Sequence, residues 1–311
     1  MRAAVLHELG SEPVVGDFDG PAPGEGELEV EVLAAGLNPI DLRTASGALA
    51  DRRPPVPSVV GSEGIGRTAD GRTVYFSGTV RPHGSLAERT VIAAGAAVDV
   101  PEGLDPAHAV CFGIAGTAAW GSIERRGQLR EGETVLVLGA SGVVGLIAVQ
   151  VAKLLGAGRV VAAARSADGL RRAAELGADA TVSLEGDDLT AAFTEAAGGP
   201  LDLVIDPLWG APAVAALAAL GMRGRLVQLG QSAGAQATFA SGDVRFKELS
   251  VLGYTNFAST PEEQAHALES LWRHAVAGDL VADYEAVALD AAADAWRRQA
   301  GSPGRKLVIT P

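Results

Sequence analysis

The sequence predicts an α/β fold of two domains, in which a doubly wound parallel sheet is inserted into the sequence of a second, mainly β domain. Length is the first observation. A chain of 311 residues is longer than a typical single domain, and it suits one domain of roughly 130 residues and a second, larger domain. The second is a change of rhythm near Thr134, where short alternating patterns give way to apolar runs separated by helical patterns. The pattern loosens again after about Val251.

The N-terminal part, about 110 residues, has the period of half-buried strands interrupted by turns. Every second side chain is apolar over residues 27–33, and short strands are also predicted at 73–76 and 89–92. Proline-rich stretches at 21–24 and 54–57 are typical of turns or extended loop. This part is therefore predicted to be mainly β.

The middle of the chain has the pattern of a parallel sheet with crossover helices. Strands are predicted at 134–138, 159–163, 180–182, 201–205 and 225–229, and helices at 143–155, 169–176, 189–197 and 212–220. Farther along we expect a helix at 261–277, a strand at 284–287, a helix at 291–299 and a closing strand at 306–309. These last elements could complete the first domain.

Composition argues against several classes of function. The formal net charge of −13 and the pI of about 4.8 disfavour binding to nucleic acid or to anionic membranes. Cys111 is the only cysteine, so no intrachain disulfide can form, and a reducing compartment, the cytoplasm, is expected. Residues 1–9 do not have the pattern of a targeting signal, and no apolar run reaches the ~18 residues of a membrane span.

The strongest chemical motif follows the first strand of the central region. Gly139, Ser141, Gly142, Val143 and Val144 lie in the turn Gly-Ala-Ser-Gly-Val-Val-Gly between a predicted strand and a predicted helix. Glycines allow the backbone to approach a pyrophosphate, and the helix start directs unpaired N–H groups at the anion. Such spacing also occurs in ordinary turns, but its place in a repeated β-α pattern predicts a dinucleotide site.

Arg165 and Ser166 stand about 20 residues farther on, where a site specific for NAD would place a carboxylate against the ribose. A guanidinium and a hydroxyl suit a 2′-phosphate, so NADPH is the predicted cofactor. The alternative is that Arg165 is a solvated loop residue.

The sequence resembles the quinone oxidoreductases of the medium-chain dehydrogenase/reductase superfamily. The resemblance rests on Ala-Ala-Gly-Leu-Asn-Pro-Ile-Asp at 34–41, Val-Val-Gly-Ser-Glu-Gly-Ile-Gly at 59–66, Gly-Thr-Ala-Ala-Trp at 116–120, the glycine turn, and Gly-Arg-Leu-Val-Gln-Leu-Gly at 224–230. It implies a Rossmann domain at 116–250 and a GroES-like catalytic domain formed by 1–115 and 251–311, with the active site in the cleft between them. It also implies a homodimer.

Metal-dependent members of that superfamily bind zinc through a cysteine and a histidine at the positions of Asn38 and Ser62. Glu63 alone cannot supply a tetrahedral zinc site, so no metal is expected. Without a Lewis acid the expected reaction is NADPH-dependent hydride transfer to a quinone or another α,β-unsaturated carbonyl, a small-molecule substrate.

The resemblance implies roles for several residues. Asn38 would lie against the nicotinamide and its ribose, Thr117 would lie beside the cofactor, and Gly230 and Gln231 would hold the carboxamide through backbone groups. Tyr254 lies in the segment that returns toward the cleft, and its phenol could donate to a developing oxyanion or simply be a satisfied buried hydroxyl.

The sequence context of the other reactive residues favours structural roles for them. Asp41 after Asn-Pro is typical of a loop-orienting carboxylate, Cys111 of a small buried hydrophobe, and the five histidines lack metal-binding spacing. Ser141 lacks the flanking glycines of a hydrolase elbow.

The sequence also departs from the family. The glycines of the dinucleotide fingerprint are spaced more widely than in the six-residue pattern. Leu42, Arg43 and Thr44 follow Asp41 where relatives have a tyrosine, so the residues that form the substrate pocket are not identified by the resemblance. Few aromatic residues are available for stacking on a flat quinone. Two alternatives therefore stand beside the quinone reductase: an enoyl-thioester or alkenal double-bond reductase, and a non-catalytic NADPH-binding protein.

Overall fold

The computed structural model describes the whole chain, Met1–Pro311, and the chain divides into two compact units. The first unit combines Met1–Ile114 with Leu268–Pro311, and the second is Ala115–Ala267. Residues 251–267, which were predicted to belong to the return segment of the first domain, thus pack within the second unit. The division of the chain by catalytic role remains a prediction.

The first 114 residues contain eight strands and two helices. In chain order these are β1 (Arg2–Leu6), β2 (Val14–Asp17), β3 (Glu27–Leu37), α1 (Pro39–Ala45), β4 (Ser58–Val59), β5 (Glu63–Thr68), β6 (Thr73–Ser77), β7 (Arg89–Ala93), β8 (Val98–Asp99) and α2 (Pro106–Cys111).

The following residues alternate strands with helices. They form α3 (Ile114–Gly121), a π-helical turn (Ser122–Arg126), β9 (Thr134–Leu138), α4 (Val143–Leu154), β10 (Arg159–Ala164), α5 (Ala167–Glu175), β11 (Ala180–Ser183), α6 (Leu189–Ala197), β12 (Leu201–Asp206), α7 (Gly210–Ala219), β13 (Leu220–Gln228), α8 (Ser241–Arg245) and β14 (Ser250–Gly253). The last elements are α9 (Pro261–Ala277), β15 (Tyr284–Ala288), α10 (Ala292–Ala300) and β16 (Lys306–Thr310).

A six-stranded parallel sheet organises the second unit. Its strand order is β11-β10-β9-β12-β13-β14, so the chain runs outward from β9 to one side and then returns to build the other side. The strand interiors are buried because helices cover a sheet of this kind on both faces. All six strands end at the same edge, and ligands of doubly wound sheets bind where the order reverses, here between β9 and β12.

Two further sheets form the first unit. One has the order β15-β16-β3-β5-β6-β8, with β7 also paired to β3, and the other has the order β2-β1-β4. All pairs in them are antiparallel except β15 with β16. The antiparallel pairing of β16 with β3 joins residues from opposite ends of the sequence into one sheet.

The structure confirms the predicted fold class, a parallel doubly wound sheet with a separate, mainly β part. β9, α6 and α9 have the predicted bounds. β13 differs, since it begins at Leu220 rather than 225, and its pairing with β12 is irregular between Leu201 and Leu203. In the first half of β13, Gly221 and Gly224 carry no side chain and the neighbouring Met222 and Arg223 are both exposed, so the alternating pattern of a strand is hidden. No helix of the structure is both long enough and apolar enough to span a lipid bilayer.

Candidate cofactor site and active site

The glycine turn after β9 is built by close backbone packing. Gly139 has a φ of +64°, and a side chain there would lie 3.1 Å from Leu208 and 3.2 Å from Pro207. Gly145 lies so close to the carbonyl of Gly139 that any Cβ would overlap it. Both positions therefore require glycine, the first for its conformation and the second for its close approach to the turn.

The first turn of α4 presents free hydrogen-bond donors. Gly142 is the N-cap, in an extended conformation, and no side chain caps the helix. The backbone N–H groups of Val143, Val144 and Gly145 have no acceptor in the protein. Unpaired amides at a helix start, together with the helix dipole, are suited to binding an anion such as a pyrophosphate. The predicted dinucleotide residues therefore fit the group that they were predicted to hold.

Arg165 is a cation without a protein partner. It follows β10, is exposed, and makes no hydrogen bond or ion pair, whereas the nearby Arg171 is paired with Asp168 at 2.5 Å. Ser166 caps α5, and its Oγ accepts the N–H of Gly169 at 3.1 Å. The guanidinium is thus free to bind an external anion, as a 2′-phosphate site requires.

The start of α5 lies against the glycine turn. A Cβ on Gly169 would overlap Cβ of Ser141, so the start of α5 packs directly on the glycine turn. The hydroxyl of Ser166 and the amides of the glycine turn are consequently parts of one surface at the carboxyl edge of the sheet.

The loop after β13 closes the same edge on the other side. Gly230 lies against the carbonyl of Pro207, and Ala233 donates its N–H to Leu208 at 2.8 Å. Gln231 is exposed in this loop. Contact of Gly230 and Gln231 with a nicotinamide carboxamide remains a prediction.

Asp206, which sequence reasoning did not single out, ends β12 beside the point where the sheet order reverses. Its Oδ1 accepts the N–H groups of Leu208 and Trp209, both at 2.9 Å, but the buried Oδ2 has no partner in the protein. Burial raises the pKa of this carboxyl, and the two backbone hydrogen bonds oppose the shift. An acidic residue at the end of a buried strand was the signal available in the sequence.

Thr117, Tyr254 and Asn256 form a hydrogen-bonded group. The Tyr254 hydroxyl lies 3.1 Å from the carbonyl oxygen of Thr117 and 3.0 Å from Oδ1 of Asn256. Nδ2 of Asn256 donates to Oγ1 of Thr117 at 3.0 Å. The phenol therefore already has two acceptors, and donation to a substrate would require it to exchange one of them.

A buried polar cluster lies in the first unit, where Asn38, Glu63 and Lys306 are at most 4% exposed. Lys306 Nζ donates to Oδ1 of Asn38 at 2.6 Å and to Oε1 of Glu63 at 2.5 Å. Asn38 Nδ2 donates to Glu63 at 2.7 Å and to the carbonyl of Gly36 at 3.1 Å. Both donor hydrogens of the Asn38 amide are used within the protein, so its predicted contact with the cofactor remains a prediction.

Glu63 is the centre of this cluster. Besides the Asn38 amide and the Lys306 ammonium, it accepts hydrogen bonds from the Tyr75 hydroxyl at 3.2 Å and the Ile114 amide at 2.7 Å. The Glu63 carboxylate is thereby fully hydrogen-bonded in a site without water access. Its cation, Lys306, lies 243 residues away in the sequence, and no local pattern could have shown the pairing.

Asp41 organises the loop before α1. It accepts the N–H of Asn38 at 2.8 Å and the hydroxyl of Ser62 at 2.6 Å, which is the loop-orienting arrangement that the sequence favoured. Burial raises the pKa of Asp41 to about 6. Cys111 is also buried, and burial raises the pKa of its thiol to about 12. No group of three or more His, Cys, Asp or Glu side chains has an arrangement that could hold a metal ion.

Known proteins share this architecture. The model of a family described as zinc-binding dehydrogenase matches residues 143–273. Quinone oxidoreductase from Rattus norvegicus is 29% identical over 277 residues, covering 85% of this chain and 82% of the relative. Prostaglandin reductase-3 from Bos taurus is 29% identical over 291 residues, covering 88% of this chain and 76% of that protein.

A solved structure matches the full length. The quinone oxidoreductase of Thermus thermophilus, solved alone and as its complex with NADPH, superposes with a TM-score of 0.84. It is 30% identical, and the match covers 100% of both chains, so it includes the Rossmann domain and the GroES-like domain. The chain is therefore an oxidoreductase that belongs to the quinone oxidoreductase family of the medium-chain dehydrogenase/reductase superfamily.

Proposed function

We propose that this protein is a zinc-independent reductase that uses NADPH to reduce a quinone or another α,β-unsaturated carbonyl. The observation that carries the proposal is the anion site of the second unit, where the uncapped start of α4 lies beside the glycine turn and Arg165 has no protein partner. When bound, NADPH supplies a hydride, and water supplies the proton that completes the reduced acceptor.

The residues of the chain hold and orient the two reactants. The amides of Val143 and Val144 would bind the pyrophosphate, and Arg165 with the Ser166 hydroxyl would bind the 2′-phosphate. Thr117 would lie beside the nicotinamide with its side chain fixed by Asn256. Catalysis of this kind depends mainly on holding the reacting atoms in the correct geometry.

Replacement of Arg165 tests the cofactor assignment. We expect Arg165→Ala to weaken NADPH binding about tenfold or more and NADH binding little, because only NADPH carries the 2′-phosphate. Calorimetric titration of both nucleotides measures the two affinities. Arg171→Ala is a matched control, since Arg171 is exposed in the neighbouring helix but already paired with Asp168. Equal losses for both nucleotides would refute the phosphate role.

The donor set supports a reaction without zinc. Ser62 is bonded to Asp41, and Asn38 and Glu63 are bonded to Lys306, so the positions that bind zinc in metal-dependent relatives are occupied by internal hydrogen bonds. Zinc also prefers thiolate and imidazole ligands, which these positions lack. Metal analysis of protein purified without an affinity tag should find no stoichiometric zinc, and a 1:1 content would contradict this part of the proposal.

An alkenal or enoyl-thioester double-bond reductase is the second candidate, and the similarity to prostaglandin reductase-3 favours it. Turnover of quinones, enones and acyl thioesters with NADPH separates the two. Oxidation of NADPH by any of these acceptors also removes the third possibility, a non-catalytic binding protein.

A homodimer in the cytoplasm completes the proposal. β14 is the last strand of its sheet and leaves one edge unpaired, with Val251 39% exposed on it. Such an edge can pair with a second copy about a twofold axis. Light scattering after size-exclusion chromatography should give twice the 31.5 kDa chain mass, and a monomer would contradict the dimer.

A further inference from the structure

The second unit contains a cavity of about 240 Å³ beside α3, lined by the side chains of Trp120, Arg125 and Tyr254 and by Thr117, Gly121 and Ala267. We propose that this cavity, here called the α3 cavity, binds the ring of the acceptor and selects compact, planar, uncharged acceptors. The inference rests on the proposed function and narrows its substrate class.

The volume sets the size of the occupant. An apolar protein cavity of about 150 Å³ accommodates benzene, so 240 Å³ scales to a molecule of about ten non-hydrogen atoms. One ring or two fused rings fit this limit. Three fused rings or a long acyl chain exceed it.

Two aromatic side chains supply flat walls. The Trp120 indole is buried, and its Nε1 donates to Glu124 at 2.8 Å. The Tyr254 ring is held at its hydroxyl by Thr117, and the Arg125 guanidinium covers it at 5.3 Å from the ring centroid. Both rings line the cavity, and aromatic pairs prefer offset-stacked or edge-to-face contacts of the kind that a bound ring could make with them. The structure thus supplies the aromatic surfaces that the sequence composition did not suggest.

Tyr254 fits because position 121 is a glycine. A Cβ on Gly121 would overlap the Tyr254 hydroxyl, so the phenol lies directly on α3. Thr117, the residue predicted beside the nicotinamide, lines the same cavity and accepts from the same hydroxyl. A ring in the α3 cavity would therefore lie next to the predicted cofactor position.

The charges of the lining favour an uncharged occupant. Arg125 is the only arginine among these residues, and it is paired with Glu263 at 3.4 Å and donates to Ser259 at 3.1 Å. Glu124 adds a second carboxylate, which lies 3.1 Å from His266. The net charge of the residues that line the cavity is −1 if His266 is neutral and zero if it is charged, so the lining does not attract anions. Acceptors with a carboxylate at this end are disfavoured.

Binding of unreactive rings tests the inference without turnover. Calorimetric titration of the wild-type chain without cofactor should give an affinity that rises from phenol to 2-naphthol and falls at 9-phenanthrol. 2-Naphthoate should bind about tenfold or more weakly than 2-naphthol. Equal affinity for all four compounds, or no binding of 2-naphthol, would overturn the proposal.

A filled cavity tests the same site during turnover. Ala267→Phe places a phenyl group in the cavity, and Ala277→Phe places one at an exposed position of the same helix as a control. We expect Ala267→Phe to lower kcat/KM for 1,4-naphthoquinone about tenfold or more, with a smaller loss for but-3-en-2-one and an unchanged NADPH affinity. For each acceptor, kcat/KM of the variant is divided by that of the wild type, so that differences in intrinsic reactivity between acceptors do not affect the comparison.

The two possible failures can be distinguished. If 2-naphthol binds and Ala267→Phe abolishes its binding, but no acceptor oxidises NADPH, the ring site stands and the proposed function fails. If acceptors oxidise NADPH and Ala267→Phe matches Ala277→Phe for every acceptor, the function stands and the α3 cavity is not the substrate site. Should Ala267→Phe fail to fold, the titration series with wild-type protein decides alone.

Discussion

The glycine turn of the second unit leaves its hydrogen-bond donors unpaired, whereas the polar cluster of the first unit pairs its polar groups with one another. At the glycine turn the amides of Val143 and Val144 and the Arg165 guanidinium have no protein partner. In the cluster, Lys306 and Glu63 are buried and bonded to each other. Unpaired donors at an accessible edge are suited to a ligand, whereas paired and buried charges hold a loop and a strand in place. Substitutions in the two regions should therefore affect different properties, stability in the cluster and binding at the turn.

The largest expected effect is on the buried ion pair. Lys306→Met should lower the free energy of unfolding by about 3–5 kcal/mol, because it leaves the Glu63 carboxylate buried without a cation. Urea denaturation measures the loss. The double variant with Glu63→Gln should recover part of the stability, since the uncompensated charge is gone. A loss below about 1 kcal/mol in Lys306→Met would contradict the structural role of the pair.

Asp41 should make stability depend on pH. The folded protein keeps a proton on Asp41 up to about pH 6, whereas the unfolded chain releases it near 3.8. Between these values the folded state binds more protons, so the free energy of unfolding contributed by Asp41 falls as pH rises and is constant above the folded pKa. The shift corresponds to about 3 kcal/mol.

Asp41→Asn isolates this contribution from other titrating groups. The difference in unfolding free energy, wild type minus variant, should decrease as the pH is raised from below the folded pKa of about 6 to above it. Parallel stability curves for the two proteins across that range would show that the Asp41 pKa is not raised.

Gly145→Ala should weaken NADPH binding about tenfold, because its Cβ would displace the carbonyl of Gly139 and open the turn. Gly253→Ala is a control in the same unit, in β14, where a Cβ meets nothing within 4 Å. Fluorescence titration of NADPH compares the two variants. Unchanged affinity in Gly145→Ala would separate the glycine turn from cofactor binding.

The smallest effect is expected for Tyr254→Phe. Since the hydroxyl already has two acceptors in the protein, its removal should cost about 1 kcal/mol of stability and less than about tenfold in kcat. Steady-state kinetics of the variant and the wild type over a range of pH measures the change in kcat. A loss of kcat of about a hundredfold or more, with a lost ionisation in the pH profile, would instead assign the proton donor to Tyr254.

Periodic elements were predictable from the sequence, and long-range pairings were not. α6 and β9 were placed to the residue because apolar periodicity and flanking turn residues agree there. β5 was missed, since its glycines contact neighbouring strands and leave too few side chains to form an alternating pattern. The site divides in the same way. The glycine turn is local, whereas the contact of Tyr254 with Thr117 spans 137 residues and depends on the fold.

The position of β16 also has a consequence for synthesis on the ribosome. The second unit is continuous and has all its strands once Ala267 has emerged, whereas the largest sheet of the first unit still lacks β16, which pairs with β3. Domains generally fold as units during translation. Nascent chains stalled after residue 267 should therefore resist protease over the inserted unit, while residues 1–114 stay susceptible until the final strand is translated.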